Sequence, residues 1–111
     1  MMNIENVPFS TVDWAQSVPV EYKGRTGTSF WRTTEVGNIR LRMVEYSAGY
    51  GTDHWCSRGH VLLVLTGELQ VELRDGRKIV MSPGMSFCVS TDAQNPHFVS
   101  AEVPTKVFIV D

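Results

Sequence analysis

Long apolar runs are missing from this chain: no stretch approaches the roughly 20 residues that cross a bilayer, so a membrane-spanning helix is not expected. Positive charge is not in excess either. Ten Lys and Arg against twelve Asp and Glu leave a net charge of -2, without the basic stripe that a nucleic-acid partner needs. The opening Met1-Met2-Asn3-Ile4-Glu5 has neither the basic nor the apolar region of a secretory signal. Cysteine is scarce. Cys56 and Cys88 allow at most one disulfide, and Cys56 stands between two histidines, so a reduced thiol in the cytoplasm is the expectation. Repeats and low-complexity segments are absent, and 111 residues suffice for one core but not for two.

Extended helical patterns are lacking as well. Pro8, Pro19, Gly24 and Gly27 interrupt the first 28 residues, where only 11–15 could form a helical turn. This divides the chain into an irregular N-terminal segment, 1–28, and a single β domain, 29–111. Strand-like runs fall at 29–34, 39–46, 60–66, 68–74, 78–81, 86–90, 97–101 and 106–110. Turn signals separate them at 36–38, 48–51, 75–76, 82–84 and Asn95-Pro96. Short strands with hairpin punctuation predict an all-β fold, an antiparallel barrel or a sandwich of two sheets.

Periodicity shows which faces need cover. Leu69, Val71 and Leu73 alternate with Gln70, Glu72 and Arg74, as in a sheet with one face in water. The run 61–65 is apolar on both faces. Leu62 and Val64 share the side of His60, which leaves Val61, Leu63 and Leu65 pointing the other way. That outer face calls for cover by the N-terminal segment, through Trp14 or Trp31, or by a second subunit in a twofold homodimer. In 39–46 neither face is cleanly apolar: a bulge switches the register, or a charge enters the interior. Arg42 and Glu45 are candidates for gripping a polar substrate, set against a solvated face with surface ion pairs. Trp31 and Trp55 are read as core.

All three histidines of the chain gather in one constellation: His54-Trp55-Cys56, then His60, then His97 after Pro96. Residues 54 and 56 project to one face of a strand, and His60 is an even number of positions on. His97 opens a later strand. Four side chains, His54, Cys56, His60 and His97, could therefore meet inside a small barrel. Imidazole with thiolate suits zinc, and imidazole sites with open positions also suit iron, nickel, copper or manganese. Asp53 points away and is expected to support or to face solvent. Cys88 has no ligand partner by spacing.

With these residues in view, 49–67 resembles the first motif of the cupin superfamily, and Gly76 to His97, with Pro83-Gly84, resembles the second. The likeness is closer still to small bacterial single-domain cupins named for a DHCW-type motif, here Asp53-His54-Trp55-Cys56. Thr28 to Thr33, Arg40 to Tyr46, Gly59-His60, 82–86 and Phe108 to Asp111 also look like that group. The resemblance implies a cupin-type jelly roll with a metal-capable centre. By position, Cys56 stands where the second motif histidine would be, and His60 where the motif's acid would be. Both keep ligand character. Chemistry that requires a carboxylate ligand is put in doubt.

Two functions follow as expectations. One is a metal-dependent enzyme on a small molecule, its divalent transition metal (Zn, Fe, Ni or Mn) held by the histidines, with Cys56 a ligand or a nearby thiol. The other is a non-catalytic binding module with a closed His3Cys site.

Overall fold

The computed structural model describes residues 3–92, 94 and 96–111, and the expected turn at Asn95-Pro96 lies partly outside them. Ten strands run among the described residues: β1 (Val20–Lys23), β2 (Thr28–Val36), β3 (Ile39–Tyr46), β4 (Tyr50–Gly51), β5 (His60–Thr66), β6 (Leu69–Leu73), β7 (Lys78–Met81), β8 (Ser86–Val89), β9 (His97–Ala101) and β10 (Thr105–Val110). All pair antiparallel, in a six-stranded sheet of order β1-β2-β3-β10-β5-β8 and a four-stranded sheet of order β4-β9-β6-β7. The two sheets face each other as a jelly-roll sandwich without closing into a barrel. Among the described residues no helix is long and apolar enough to cross a membrane.

The N-terminal segment corrects one expectation. It is not irregular throughout, because Val20–Lys23 pairs with 28–31 as an edge strand whose four residues are all exposed. A single 3-10 turn, Trp14–Gln16, is capped by Asp13, whose side chain accepts from the Ala15 amide at 3.1 Å. This turn lies on the outer face of the six-stranded sheet. The Trp14 ring meets Phe108 edge-on at 6.4 Å, and Arg32 Nε donates to the Ser17 carbonyl at 3.1 Å. Leu63 and Leu65 are half-buried on that outer side of β5, while Val61 stays 48% exposed. Trp14 thus packs on this outer face, at Phe108, whereas Trp31 packs against the core.

Alternation drives the core. Val44 of β3, Val107 of β10 and Val64 of β5 lie side by side in register and are fully buried. Leu62, Leu69 and Met81 complete the interior, each worth about 1.5–3 kcal/mol relative to exposure. Pairing of β2 with β3 runs from Ser29↔Tyr46 to Val36↔Ile39 without a shift. No bulge rescues β3, so its inward face carries a charge: Arg42 is 6% exposed, between the half-buried Arg40 and the buried Val44.

Candidate metal centre and its cavity

Register explains which ligands meet. β4 pairs with β9 through Tyr50↔Ala101 and Gly51↔Ser100, and an unbroken ladder would next set His54 opposite His97. The chain instead bends at Asp53 and His54. Cys56 takes the place opposite His97, exchanging backbone hydrogen bonds with it at 2.7 and 2.8 Å. Residues directly opposite on a ladder share a face, so the thiol and the imidazole point together. His60 arrives from the other sheet, at the start of β5 and opposite Val89.

The ligand atoms of Cys56, His60 and His97 all lie within 4.8 Å of one another. The two imidazoles meet edge-on at 4.8 Å, and the Phe87 ring packs against both, at 5.5 and 5.7 Å. His97 is buried and His60 half-buried, and no described group accepts from or donates to the buried Nδ1 of His60. Burial first, then the charges of His97 and Arg42, hold His60 down to about pKa 4. Burial lowers His97 as well. Both rings are therefore neutral near pH 7, the form that binds a metal. A buried nitrogen without a partner, beside a second imidazole and a thiol, is the donor set a borderline transition metal takes.

His54 is not brought into this group. Its side chain is 71% exposed, with Nδ1 2.6 Å from Asp53 Oδ1, at the rim of the cavity. The same-face argument assumed an extended strand through 54–56, and the bend at 53–54 removes that premise. Trp55 turns away from the cavity onto Phe98 at 5.3 Å, with Arg74 over its ring.

Glu45 is a second correction. It faces outward between Arg32 (3.2 Å) and Lys106 (3.5 Å), because odd positions of β3 point away from the core. Its ion pairs are the surface kind. Arg42 does line the cavity, of about 290 Å³, together with Trp31, Tyr46, Tyr50 and the clustered Cys56, His60 and His97.

Asp111, not singled out from the sequence as a site residue, organises the charge beneath. Its side chain is 1% exposed and receives a fork from Arg40, with Nε on Oδ1 at 2.9 Å and Nη2 on Oδ2 at 2.7 Å. Arg58 Nε reaches Oδ2 at 2.8 Å and Arg42 Nη2 reaches it at 3.2 Å. Burial raises the Asp111 pKa, but the Arg40 hydrogen bond and the three guanidinium charges outweigh it, and the net shift is downward. The signal was present in the sequence: two arginines alternating inward on one strand require a buried anion on a neighbour.

Gly59 keeps His60 in place. A Cβ there would sit 2.5 Å from the Thr91 nitrogen and 2.8 Å from the Ser90 carbonyl carbon, both rigid backbone. Gly59→Ala is therefore expected to pry the start of β5 from β8, destabilising the fold by about 1–3 kcal/mol. Thermal denaturation of that variant measures the loss. Unchanged values would show that the close approach is not needed.

No family model and no curated protein matches the sequence. Solved structures do match. Ectoine synthase from P. lautus superposes with a TM-score of 0.75 at 17% identity, over 92% of this chain and 76% of that one. An RmlC-like cupin from Shewanella frigidimarina gives 0.68 at 18%, over 96% and 88%. Fe(II)-HppE with an alternative substrate gives 0.74 at 12%, over 93% of this chain and 60% of that one. The shared feature is the architecture: this chain is a small protein of the cupin fold.

Proposed function

We propose that this protein is a metal-dependent enzyme acting on a small molecule, with Cys56, His60 and His97 as the metal ligands. The carrying observation is the convergence of these three donors within 4.8 Å on the wall of a cavity of about 290 Å³. Two imidazoles and a thiolate suit zinc first, with iron, nickel, manganese or copper as further occupants. Three protein ligands leave a position open toward the cavity, where a bound metal would act as a Lewis acid. Fe(II)-HppE, similar in fold, supports the reading that this architecture accommodates such a centre. His54, held outward by Asp53, leaves the closed four-ligand arrangement of a binding module without support. The reading places the chain in the cytoplasm, where the free Cys56 thiol would persist, as a twofold homodimer joined over the outer face of Val61, Leu63 and Leu65 or the adjacent N-terminal segment.

The test is elemental analysis of protein purified without a nickel column. About one transition-metal equivalent per chain is expected for the wild type and for His54→Ala. His60→Ala and Cys56→Ala should retain far less. A wild type that neither carries metal nor takes up zinc, or a His60→Ala variant with full occupancy, would refute the assignment.

A further inference from the structure

We propose that the cavity takes a small carboxylic acid, its carboxylate received by Arg42. The inference rests on the cavity being the ligand site proposed above, although the contact with Arg42 does not itself require a metal.

The interior around Asp111 is short of negative charge. Arg40, Arg42 and Arg58 face one carboxylate. Arg40 occupies both of its oxygens, and Arg42 makes the longest contact of the set, 3.2 Å through Nη2. Arg42 is also the one of the three that lines the cavity. Its Nε is buried, and no described group accepts from it. A guanidinium presents donors in a fixed fork, so an unused Nε on a side chain that lines the cavity marks a place for an acceptor. The plane is already set: the guanidinium carbon sits 4.6 Å from the centre of the Trp31 ring, whose Nε1 is tied to Ser29 Oγ at 3.0 Å.

The surroundings select the ligand's charge and size. Tyr46 and Tyr50 stack at 4.6 Å beside Arg42 and offer an aromatic wall. Burial, then the adjacent Tyr50, raise the pKa of Tyr46, so its hydroxyl keeps its proton and remains a donor. Lys23 stands at the rim, paired with Glu21 at 3.3 Å, and the one acid among the lining residues, Asp53, is engaged by His54. No free acid therefore competes for Arg42, and a carboxylate meets its Nε–H with a charge-assisted bond, where a neutral carbonyl offers a weaker one and a cation none. The volume admits only a small molecule. Arg42 and His60 line the same cavity. A carboxylate on Arg42 would leave the rest of the ligand toward the Cys56–His60–His97 end.

Benzoate and its neutral analogue benzamide are the probes, followed by nitrogen-15 NMR of the Arg42 Nε–H and Trp31 indole signals. These are assigned from Arg42→Met and Trp31→Phe. Benzoate is expected to shift both signals saturably, and to bind about ten- to a hundredfold more tightly than benzamide, the range for a buried charge-assisted hydrogen bond. Arg42→Met should lose benzoate binding while taking up zinc like the wild type. If that variant does not fold, the wild-type comparison of the two probes at the Trp31 indole still decides. Equal shifts with both probes, or none with benzoate, would overturn the proposal, as would a response to inorganic phosphate alone. Zinc titration of the same samples separates the two readings. Benzoate without zinc binding removes only the metal centre, and zinc without benzoate binding removes only the carboxylate.

Discussion

Asp111→Asn is expected to cost the fold about 3–5 kcal/mol, the range for breaking a buried ion pair by removing one partner. For a domain of this size the thermal midpoint should then fall by more than about 10 °C. The amide matches the carboxylate in shape but carries no charge, so the largely buried Arg40 and Arg42 are left facing each other without a counter-charge. The reciprocal backbone bonds between Arg40 and Asp111, 2.6 and 2.9 Å, hold the two residues opposite one another and limit relaxation. Arg58 contributes little to the total: its side chain is 56% exposed and solvent screens its contact. Arg58→Gln should accordingly cost less than about 1 kcal/mol. The sign with pH follows from the depressed carboxyl of Asp111. Its stabilisation is complete above the ordinary carboxylate pKa and disappears as pH falls through the lower folded value. Thermal melts of both variants at neutral pH check the ranking, and an Asp111→Asn protein as stable as Arg58→Gln would contradict it.

Strands were legible where runs of β-forming residues are bounded by turn residues. The runs 39–46, 60–66, 78–81 and 97–101 coincide with β3, β5, β7 and β9 to the residue. β1 and β4 were not, for different reasons. β1 is an exposed edge strand, Val20–Lys23, so no buried face imposes alternation on it. β4 is only Tyr50–Gly51 and is defined by its ladder partner on β9. The site was legible in part. Scarcity and spacing drew attention to Cys56, His60 and His97, which the fold does bring together. They also drew in His54, because parity holds only on an unbroken strand and nothing local marks the bend at 53–54. Arg42 was distinguished from Glu45 only by the continuous β2–β3 register, a non-local fact. Asp111 shows the same limitation. Its partners on β3 lie about 70 positions back in the chain, and only the β3–β10 pairing puts them in contact.

Acidifying the metal-free protein from pH 6.5 toward 4 is expected to erode its stability by up to about 1.4 kcal/mol per pH unit for each buried histidine. His60 and His97 both have folded-state pKa values below the ordinary 6.5, His60 at about 4. In that window the unfolded chain binds protons that the folded chain refuses, so stability rises with pH. The contribution is present in full above 6.5 and is lost as pH falls to the folded values. His60→Leu removes one of the two titrating groups, and with it the buried Nδ1 that has no partner. Its slope between pH 6.5 and 4 should therefore flatten by the share of one histidine. At pH 5 the variant should equal or exceed the wild type, since an apolar group of similar volume replaces an unmet polar one. The gain in stability would come with the loss of zinc binding, as expected where a polar group is kept in a core for a ligand rather than for the fold. Zinc should reverse the ranking: the wild type gains stability with zinc concentration at neutral pH, whereas His60→Leu does not. Urea unfolding at a series of pH values, with and without zinc, reads both effects. Parallel pH slopes for the two proteins would mean that His60 takes up its proton in the folded state as readily as in the unfolded one. The same burial that makes the site ready for a metal would then have to be abandoned.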